Sequence, residues 1–286
     1  MSYRIITDSC ADFPKELAAQ LDIDQVPLTL LFRGQSTADF TDESLKEMYQ
    51  GLRFGEKATT SAVNPESWSQ AIGKVLAAGQ DALVLAFSSG LSTTYQSAVI
   101  AAEELKEQYP ERKIIVVDTL CASLGQGLLV WHACKRRDAG MGLEELAQWC
   151  EDHKLNLCHW FTVDDLMYLK RGGRVSGATA VVGTMLNIKP VMHMDDAGHL
   201  IKVTTARGRK ASIHALADKV GQLALKEGND TMFISHGDCL QDAEYLAGIL
   251  KEKYGVQTVV IGYVGAVIGS HAGPGVLALF FLGQHR

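Results

Sequence analysis

The sequence lacks the short motifs that mark most nucleotide-binding and hydrolytic proteins. No Walker loop or G-x-G-x-x-G fingerprint follows the first predicted strand, and no G-x-S-x-G elbow is present. The glycines of 262–269 come too late in the chain and lack the Rossmann spacing. These absences argue against common nucleotide and serine-hydrolase chemistry, and the shortage of catalytic groups favours binding over turnover.

Metal-binding and membrane signals are also missing. The six cysteines form no C-x-x-C pair and fit no zinc spacing, so we expect free thiols, no metal and no cofactor. No apolar run approaches the roughly 18 residues of a transmembrane helix, and the N-terminus lacks a signal-peptide pattern. The net charge of -6 gives no reason to expect nucleic-acid binding. We therefore predict a cytoplasmic protein.

Short apolar strands alternate with helical segments along all 286 residues. This pattern predicts an α/β fold with an N-terminal domain at 1–160, built on a mainly parallel sheet, and a C-terminal α/β domain at 161–286. No linker rich in Pro, Gly or Ser separates the two, so we expect them to pack tightly.

Two hydroxyl clusters each precede a predicted helix. Ser88–Thr94 lies between a strand at 82–87 and a helix at 95–107, with Ser92 as the predicted N-cap and Ser89 and Thr93 beside it. Thr60 and Ser61 precede a helix that begins at Pro65. In a parallel sheet such turns fall along one edge, where free N–H groups and hydroxyls hold an anion. A plain capped turn explains either cluster equally well.

Two further turns contain candidate residues. Asp8 and Ser9 end the first predicted strand, where they either contact a ligand or cap the next helix. His271 lies in a glycine-flanked segment, Gly269–Gly275, that we interpret as a turn. There its ring either donates to an anion or has a structural role.

A locally basic segment runs from Asp165 to Ala215, with eight Lys or Arg residues and three Asp. In an acidic protein such a segment is a candidate docking face for an anionic partner, although each residue alone is also explained by solvent exposure.

These stretches, taken together and in order, resemble the DegV family of bacterial fatty-acid-binding proteins. The matching segments run across nearly the whole chain: Thr7–Ser9, Thr59–Ser61, Ser88–Ser92, Tyr95–Ala98, Asp118–Thr119, Tyr168–Arg174, Asn187–Pro190, Arg207–Ala211 and Gly269–Gly275. The chain departs from the family pattern beside two of them, where Ala62-Val63 replaces Gln-Pro and Thr93 replaces Gly.

The resemblance implies a long-chain fatty acid held between two α/β domains. Thr60, Ser61, Ser92 and His271 would hold its head group, with Asp8, Ser9, Ser89 and Thr93 as accessory residues. Such a protein has no catalytic residues of its own and presents the carboxylate to a separate ATP-dependent fatty acid kinase subunit. Arg171, Arg174 and Arg207 would form a basic face where that subunit, or transiently a membrane surface, docks.

Two alternatives remain open from the sequence. One is a lipid-sensing regulatory module, and the other is a small-molecule hydrolase or lipid transferase that uses Ser92 and His271, with Asp8 as the third member of a triad. For the tail-binding walls, the apolar segments at 178–186 and 122–131 are candidates, and a plain core explains them equally well.

Overall fold

The computed structural model describes residues 2–176 and 187–286, so the predicted apolar helix and tail wall at 178–186 lie outside the described residues. Up to residue 153 the elements are β1 Tyr3–Asp8, α1 Lys15–Gln20, β2 Asp24–Val26, β3 Thr29–Phe32, β4 Gln35–Thr37, α2 Asp42–Arg53, β5 Ala58–Ser61, α3 Pro65–Ala77, β6 Asp81–Ala86, α4 Thr94–Gln108, β7 Ile114–Asp118, α5 Leu124–Asp138 and α6 Leu143–His153. The later described elements are β8 Leu157–Thr162, α7 Met167–Arg171, β9 Ile188–Met194, β10 Leu200–Arg207, α8 Arg209–Leu223, β11 Thr231–His236, α9 Leu240–Tyr254, β12 Thr258–Tyr263, α10 Ala266–Ala272 and β13 Leu277–Leu282.

The first unit is built around a four-stranded sheet of order β2-β1-β6-β7, in which every pair is parallel. Successive residues of β1 face opposite sides of it: Ile6 packs with α3 and α4, and Ile5 packs with α5 and α6. Helices therefore cover both faces, as a parallel sheet requires. This confirms the predicted α/β fold with a parallel sheet in its first part.

The second unit is built around a six-stranded sheet of order β10-β9-β8-β13-β11-β12. Only β11 and β12 pair in parallel; the other pairs are antiparallel. Helices α8 and α9 pack on one face, with Leu216 and Leu246 in the shared core. The two apolar runs on either side of Asp196–Gly198 predict a hairpin, and β9 and β10 confirm it.

Helix α5 joins the two units. Its Leu124 and Leu128 pack with Phe233 and Phe280 of the second sheet, whereas its Val130 packs under the first. Because β8 already belongs to the second sheet, we propose a division ahead of Leu157, a few residues before the predicted boundary at 160/161.

A small antiparallel sheet of order β4-β3-β5 flanks the first unit. The sequence pattern predicts one strand at 25–32, but the chain forms β2 and β3 in different sheets, because Pro27 lies between them and has no N–H for a ladder. The interpretation of 59–61 as a turn at the edge of the parallel sheet is wrong. These hydroxyls lie on β5, paired antiparallel with β3.

Three further local predictions are corrected. The sequence pattern predicts a helix from Leu120, but α5 begins at Leu124, since Leu120 and Ser123 have φ of +50° and +54°. The N-cap of α4 is Thr93 rather than Ser92. His271 lies in the last turn of α10, not in an irregular turn.

All six cysteines are free, and five of them are buried. Among residues 2–176 and 187–286, no helix has both the length and the apolar composition needed to cross a bilayer.

Candidate functional site

A cavity of about 490 Å³ lies between the two units. Its size falls within the range of roughly 300–1,000 Å³ found for small-molecule sites. Most of its walls are apolar side chains, which come from both units: Leu28, Phe87, Leu91, Phe161, Leu169, Met194, Leu200, Val264, Val267, Ile268, Ala272, Val276, Ala278 and Phe280. Apolar walls offer water no hydrogen bonds, so a hydrocarbon is the favoured occupant of the cavity.

Polar groups from one strand, one helix and two connecting segments meet in one part of this wall. Thr60 of β5 and His271 of α10 are joined by a hydrogen bond of 2.8 Å between Thr60 Oγ1 and His271 Nε2. Arg174 donates from Nε to the carbonyl of Leu91, next to Ser92, at 3.3 Å. Both units therefore contribute to this cluster, which we call the polar cluster: Thr60, Ser92, Arg174 and His271.

The alternation of β5 decides which hydroxyl of the 59–61 segment faces the cavity. Thr60 is partly buried and lines it, whereas Thr59 and Ser61 are exposed on the other face of the strand. The predicted pair Thr60 and Ser61 is therefore split, and Ser61 lies outside the cavity.

Ser92 lies in the turn between β6 and α4 and lines the cavity. Its Oγ accepts the backbone N–H of Thr94 at 3.2 Å and lies 2.8 Å from Thr94 Oγ1. The hydroxyl is thus fixed at the N-terminal end of α4, where the helix dipole favours negative charge. The turn thus has the hydroxyl and the helix N-terminus that the predicted anion site requires, although Ser92 is not the N-cap itself. Anion binding here stays a prediction.

His271 is held by close packing as well as by its hydrogen bond. Its ring lies against Gly172, where any Cβ would collide with Nδ1. Burial, helped by the nearby Arg174 charge, lowers the pKa of His271 to about 4. The imidazole is therefore neutral at physiological pH and acts as a hydrogen-bonding group rather than as a cation.

Arg174 is the cation of the polar cluster. It lines the cavity, is partly buried, and is held by the carbonyls of Leu91 and Gly172. Burial lowers the pKa of Arg174, yet a guanidinium stays protonated in proteins. Arg174 is predicted together with Arg171 and Arg207 for the basic docking face, and the structure places it, partly buried, in the cavity wall. A docking role for Arg174 stays a prediction.

Asp8 and Ser9 have structural partners. The Asp8 carboxylate is fully buried and accepts the N–H groups of Cys10 and Phe87 and the Gln126 amide. Burial raises its pKa to about 6. Ser9 Oγ accepts the N–H of Leu28. Neither residue lines the cavity, which favours the capping interpretation.

Ser89, Thr93 and Ala62 all line the cavity. Ser89 is exposed, and its N–H donates to Asp118. The two departures from the family pattern, Ala62 and Thr93, are therefore wall positions beside the polar cluster.

Two further polar side chains, Ser123 and His159, line the cavity without having been predicted. Ser123 Oγ donates to Asp12 at 2.6 Å, and His159 accepts the Ala122 N–H while it contacts the Leu157 carbonyl. Burial lowers the pKa of His159 to about 3, so it too is neutral. Other protein groups already form hydrogen bonds with both side chains. No sequence motif identifies either residue as part of the cavity.

The remaining two predicted basic residues are exposed. The Arg171 guanidinium lies 4.5 Å from the ring of Tyr168, and Arg207 ends β10. Both are separate from the cavity lining.

The hydrogen bonds do not assemble a triad from Ser92, His271 and Asp8. Ser92 bonds to Thr94, His271 to Thr60, and Asp8 to Phe87, Cys10 and Gln126. Within the described residues, no group of three or more His, Cys, Asp or Glu side chains is placed to hold a metal ion.

Comparison with known proteins agrees with this architecture. A family model described as an uncharacterised protein of the DegV family matches residues 2–284. A DegV domain-containing protein of Clostridium perfringens is 44% identical over 284 residues, 99% of this chain and 98% of the relative.

Two solved structures are also similar. One, reported for fatty acid binding of a DegV family protein from Thermus thermophilus, has a TM-score of 0.88 and 31% identity, covering 99% of this chain and 100% of that chain. A DegV family protein from Ruminococcus gnavus, refined with vaccenic acid, has a TM-score of 0.88 and 27% identity, covering 98% and 99% of the two chains. Since the family model and the clostridial relative span nearly every residue, this chain belongs to the DegV family.

Proposed function

We propose that the protein binds a long-chain fatty acid, with the tail in the apolar cavity and the carboxylate at the polar cluster. The observation that carries the proposal is the cavity between the units, apolar over most of its wall and polar where Thr60, Ser92, Arg174 and His271 meet. The relatives from Thermus thermophilus and Ruminococcus gnavus, described with fatty acids, support the same ligand class.

The tail supplies most of the binding free energy. Each buried methylene contributes about 0.8 kcal/mol, so a chain of about fourteen methylenes contributes on the order of 11 kcal/mol before the cost of immobilisation. Walls such as Phe161, Leu169 and Phe280 provide this burial. The head group then needs only to fix the direction in which the lipid enters.

The polar cluster suits a carboxylate. Hydroxyls of Thr60 and Ser92 and a neutral His271 offer hydrogen bonds, and Arg174 supplies one positive charge. Hydroxyls and N–H groups at a helix N-terminus donate hydrogen bonds to a carboxylate or to a phosphate with little rearrangement. The same cluster could therefore hold an acyl phosphate.

We further propose that the protein has no catalytic activity of its own and presents the carboxylate to a separate ATP-dependent fatty acid kinase subunit. The family resemblance is the ground for this step. The exposed Arg171 and Arg207 lie outside the cavity and are free to meet such a subunit or, transiently, a membrane surface. On this proposal a lipid-sensing regulatory role would use the same cavity with a different partner.

The head-group assignment is tested with palmitate labelled with ¹³C at its carboxyl carbon. Added to delipidated protein, it should give one sharp bound carboxyl resonance. Ser92→Ala and His271→Ala should each shift that resonance and weaken retention, because each removes a hydrogen-bonding group. The fold is checked by thermal unfolding of each variant.

Ser61→Ala is the matched control. It removes a hydroxyl one residue from Thr60 but on the exposed face of β5. An unchanged resonance is expected. If Ser92→Ala and His271→Ala behave like Ser61→Ala, the carboxylate lies elsewhere.

A further inference from the structure

A second depression, which we call the acidic groove, is lined by residues of both units and shares Val267 of α10 with the cavity. Its volume is about 940 Å³. It is lined by five carboxyl side chains and a single ammonium, from Lys15: the acids are Asp12, Glu16, Asp39, Asp42 and Glu43. Within the described residues, the four acids other than Asp12 are exposed and form no ion pair. Asp42 and Glu43 lie in the first turn of α2, where the helix dipole partly offsets their charge, whereas Glu16 and Asp39 face solvent.

A buried histidine adds an independent sign of a ligand. His236 lines the groove, yet it is only 3% exposed. Its Nδ1 accepts the backbone N–H of Cys239 at 3.3 Å, so the proton of the neutral ring lies on Nε2. Burial lowers the pKa of His236, which keeps the ring neutral. The hydrogen bond found for this ring among the described residues is the one from Cys239, which leaves the Nε2 proton for water or a ligand in the groove.

We propose that the acidic groove binds a basic segment of a protein partner, with Lys or Arg side chains against its carboxylates and a backbone carbonyl on His236 Nε2–H. The proposal is separate from fatty-acid binding and does not depend on it.

The composition of the groove favours a peptide over a small ion. Phe13, Phe40 and Tyr263 provide aromatic surface beside the carboxylates. A guanidinium stacks on such rings, and the methylene stem of Lys packs along them, while a metal ion gains nothing from them. A neutral N–H donor matches a peptide carbonyl, which a bare cation lacks.

The groove and the cavity share a wall. Val267 lines both, and Asp12 in the groove accepts a hydrogen bond from Ser123 in the cavity. Peptide binding is therefore measured on delipidated and on palmitate-loaded protein.

The test uses a fluorescein-labelled peptide of alternating Lys, Arg and Gly residues, with its Glu-for-Lys/Arg counterpart as the negative probe. Anisotropy titrations at low salt should show saturable binding of the basic peptide alone. The double variant Asp39→Asn/Asp42→Asn should weaken binding roughly fivefold to tenfold, the effect expected from two exposed charges. Raising the salt should reduce the difference between the variant and the parent.

The matched control is Glu104→Gln/Glu107→Gln on α4, which removes the same charge from exposed positions outside the groove. It should leave the peptide affinity unchanged. Equal losses in both double variants would mean that only the net charge attracts the peptide, and the proposal would be overturned.

A second readout needs no substitution. In a ¹⁵N-labelled sample, the His236 side-chain Nε2–H resonance should shift on adding the basic peptide. A saturating peptide that leaves this resonance in place overturns the carbonyl contact. If the basic peptide does not bind, or if the polyamine spermine binds and the peptide does not, the assignment of a protein segment as the ligand is overturned.

Discussion

The cavity and the acidic groove lie on opposite sides of one wall, yet they differ in nearly every physical property. The cavity is walled by apolar side chains and has one cation, Arg174, whereas the groove exposes four unpaired carboxylates. In the cavity, binding energy comes from burial and scales with the length of a tail. In the groove it comes from exposed charges, which water and salt weaken. If both proposals hold, the same fold offers an insulated site for a lipid anion and a solvated site for a cation.

The largest expected effect comes from filling the cavity. Ala278→Phe places a ring where the tail is proposed to lie, since Ala278 of β13 lines the cavity opposite Phe161 in register. Displacing about four methylenes costs about 3 kcal/mol, so palmitate affinity should fall roughly 100-fold by calorimetry.

The comparison predicts that Ala278→Phe leaves basic-peptide binding intact. Ala139→Phe, at the exposed C-cap of α5, adds the same ring outside the cavity and should change neither ligand. Equal palmitate affinity in the two variants would contradict the tail assignment.

Next in size is a pH effect from the histidine of the cavity. Folding lowers the pKa of His271 from 6.5 to about 4. Below about pH 6.5 the unfolded chain therefore binds a proton at this histidine that the folded chain does not bind. Through His271, the delipidated parent should lose about 2 kcal/mol of stability at about pH 5 as the pH falls from about 6.5 toward 4, in addition to the loss that the buried His159 causes. His271→Gln should remove the share that comes from His271.

Urea unfolding of the parent and of His271→Gln across this pH range measures the difference. The two free-energy curves should separate on acidification and run parallel at neutral pH. Curves that stay parallel throughout would show that His271 titrates normally and is not desolvated in the cavity.

A smaller effect is expected from the cation of the cavity. Arg174→Met keeps an unbranched apolar stem but removes the charged guanidinium, so the affinity for a hydrogen-bonded carboxylate should fall roughly tenfold. A fatty alcohol of equal length should bind both proteins alike. Arg171→Met, three residues earlier and exposed, is the control. If the alcohol and the acid lose equally, Arg174 acts through packing.

The smallest effect on lipid binding is expected at the exposed basic residues. Arg207→Ala should change palmitate affinity less than about twofold, as surface substitutions usually do. It should nevertheless slow phosphorylation of the bound fatty acid by a separate ATP-dependent kinase subunit. Loss of lipid binding in this variant would remove the distinction between cavity and docking face.

The sequence was sufficient to predict elements whose patterns are local. The apolar runs of β6 and β7 and the turn residues of the β9–β10 hairpin specify their structures with little help from the rest of the chain. Pro27 is a local signal too, yet it also splits a predicted strand between two sheets, a result that depends on tertiary packing.

The role of the site residues stays a prediction, but the structure shows where they lie. Thr60, Ser92 and His271 line one cavity, although they lie on a strand, a turn and a helix that sequence patterns do not bring together. Ser61 differs from Thr60 by one step of a strand, and that step turns it away from the cavity. Arg174 cannot be distinguished from Arg171 by sequence, because only the path after Gly172-Gly173 decides which one is buried.

The central claim is tested most directly by mass spectrometry of a denatured extract of the purified protein. The account predicts one long-chain fatty acid per protein molecule, whose length and saturation identify the preferred tail. An empty protein that also fails to take up added palmitate would contradict it. The cavity would then hold a different anion, and the wall positions Ala62 and Thr93 would be the first to examine.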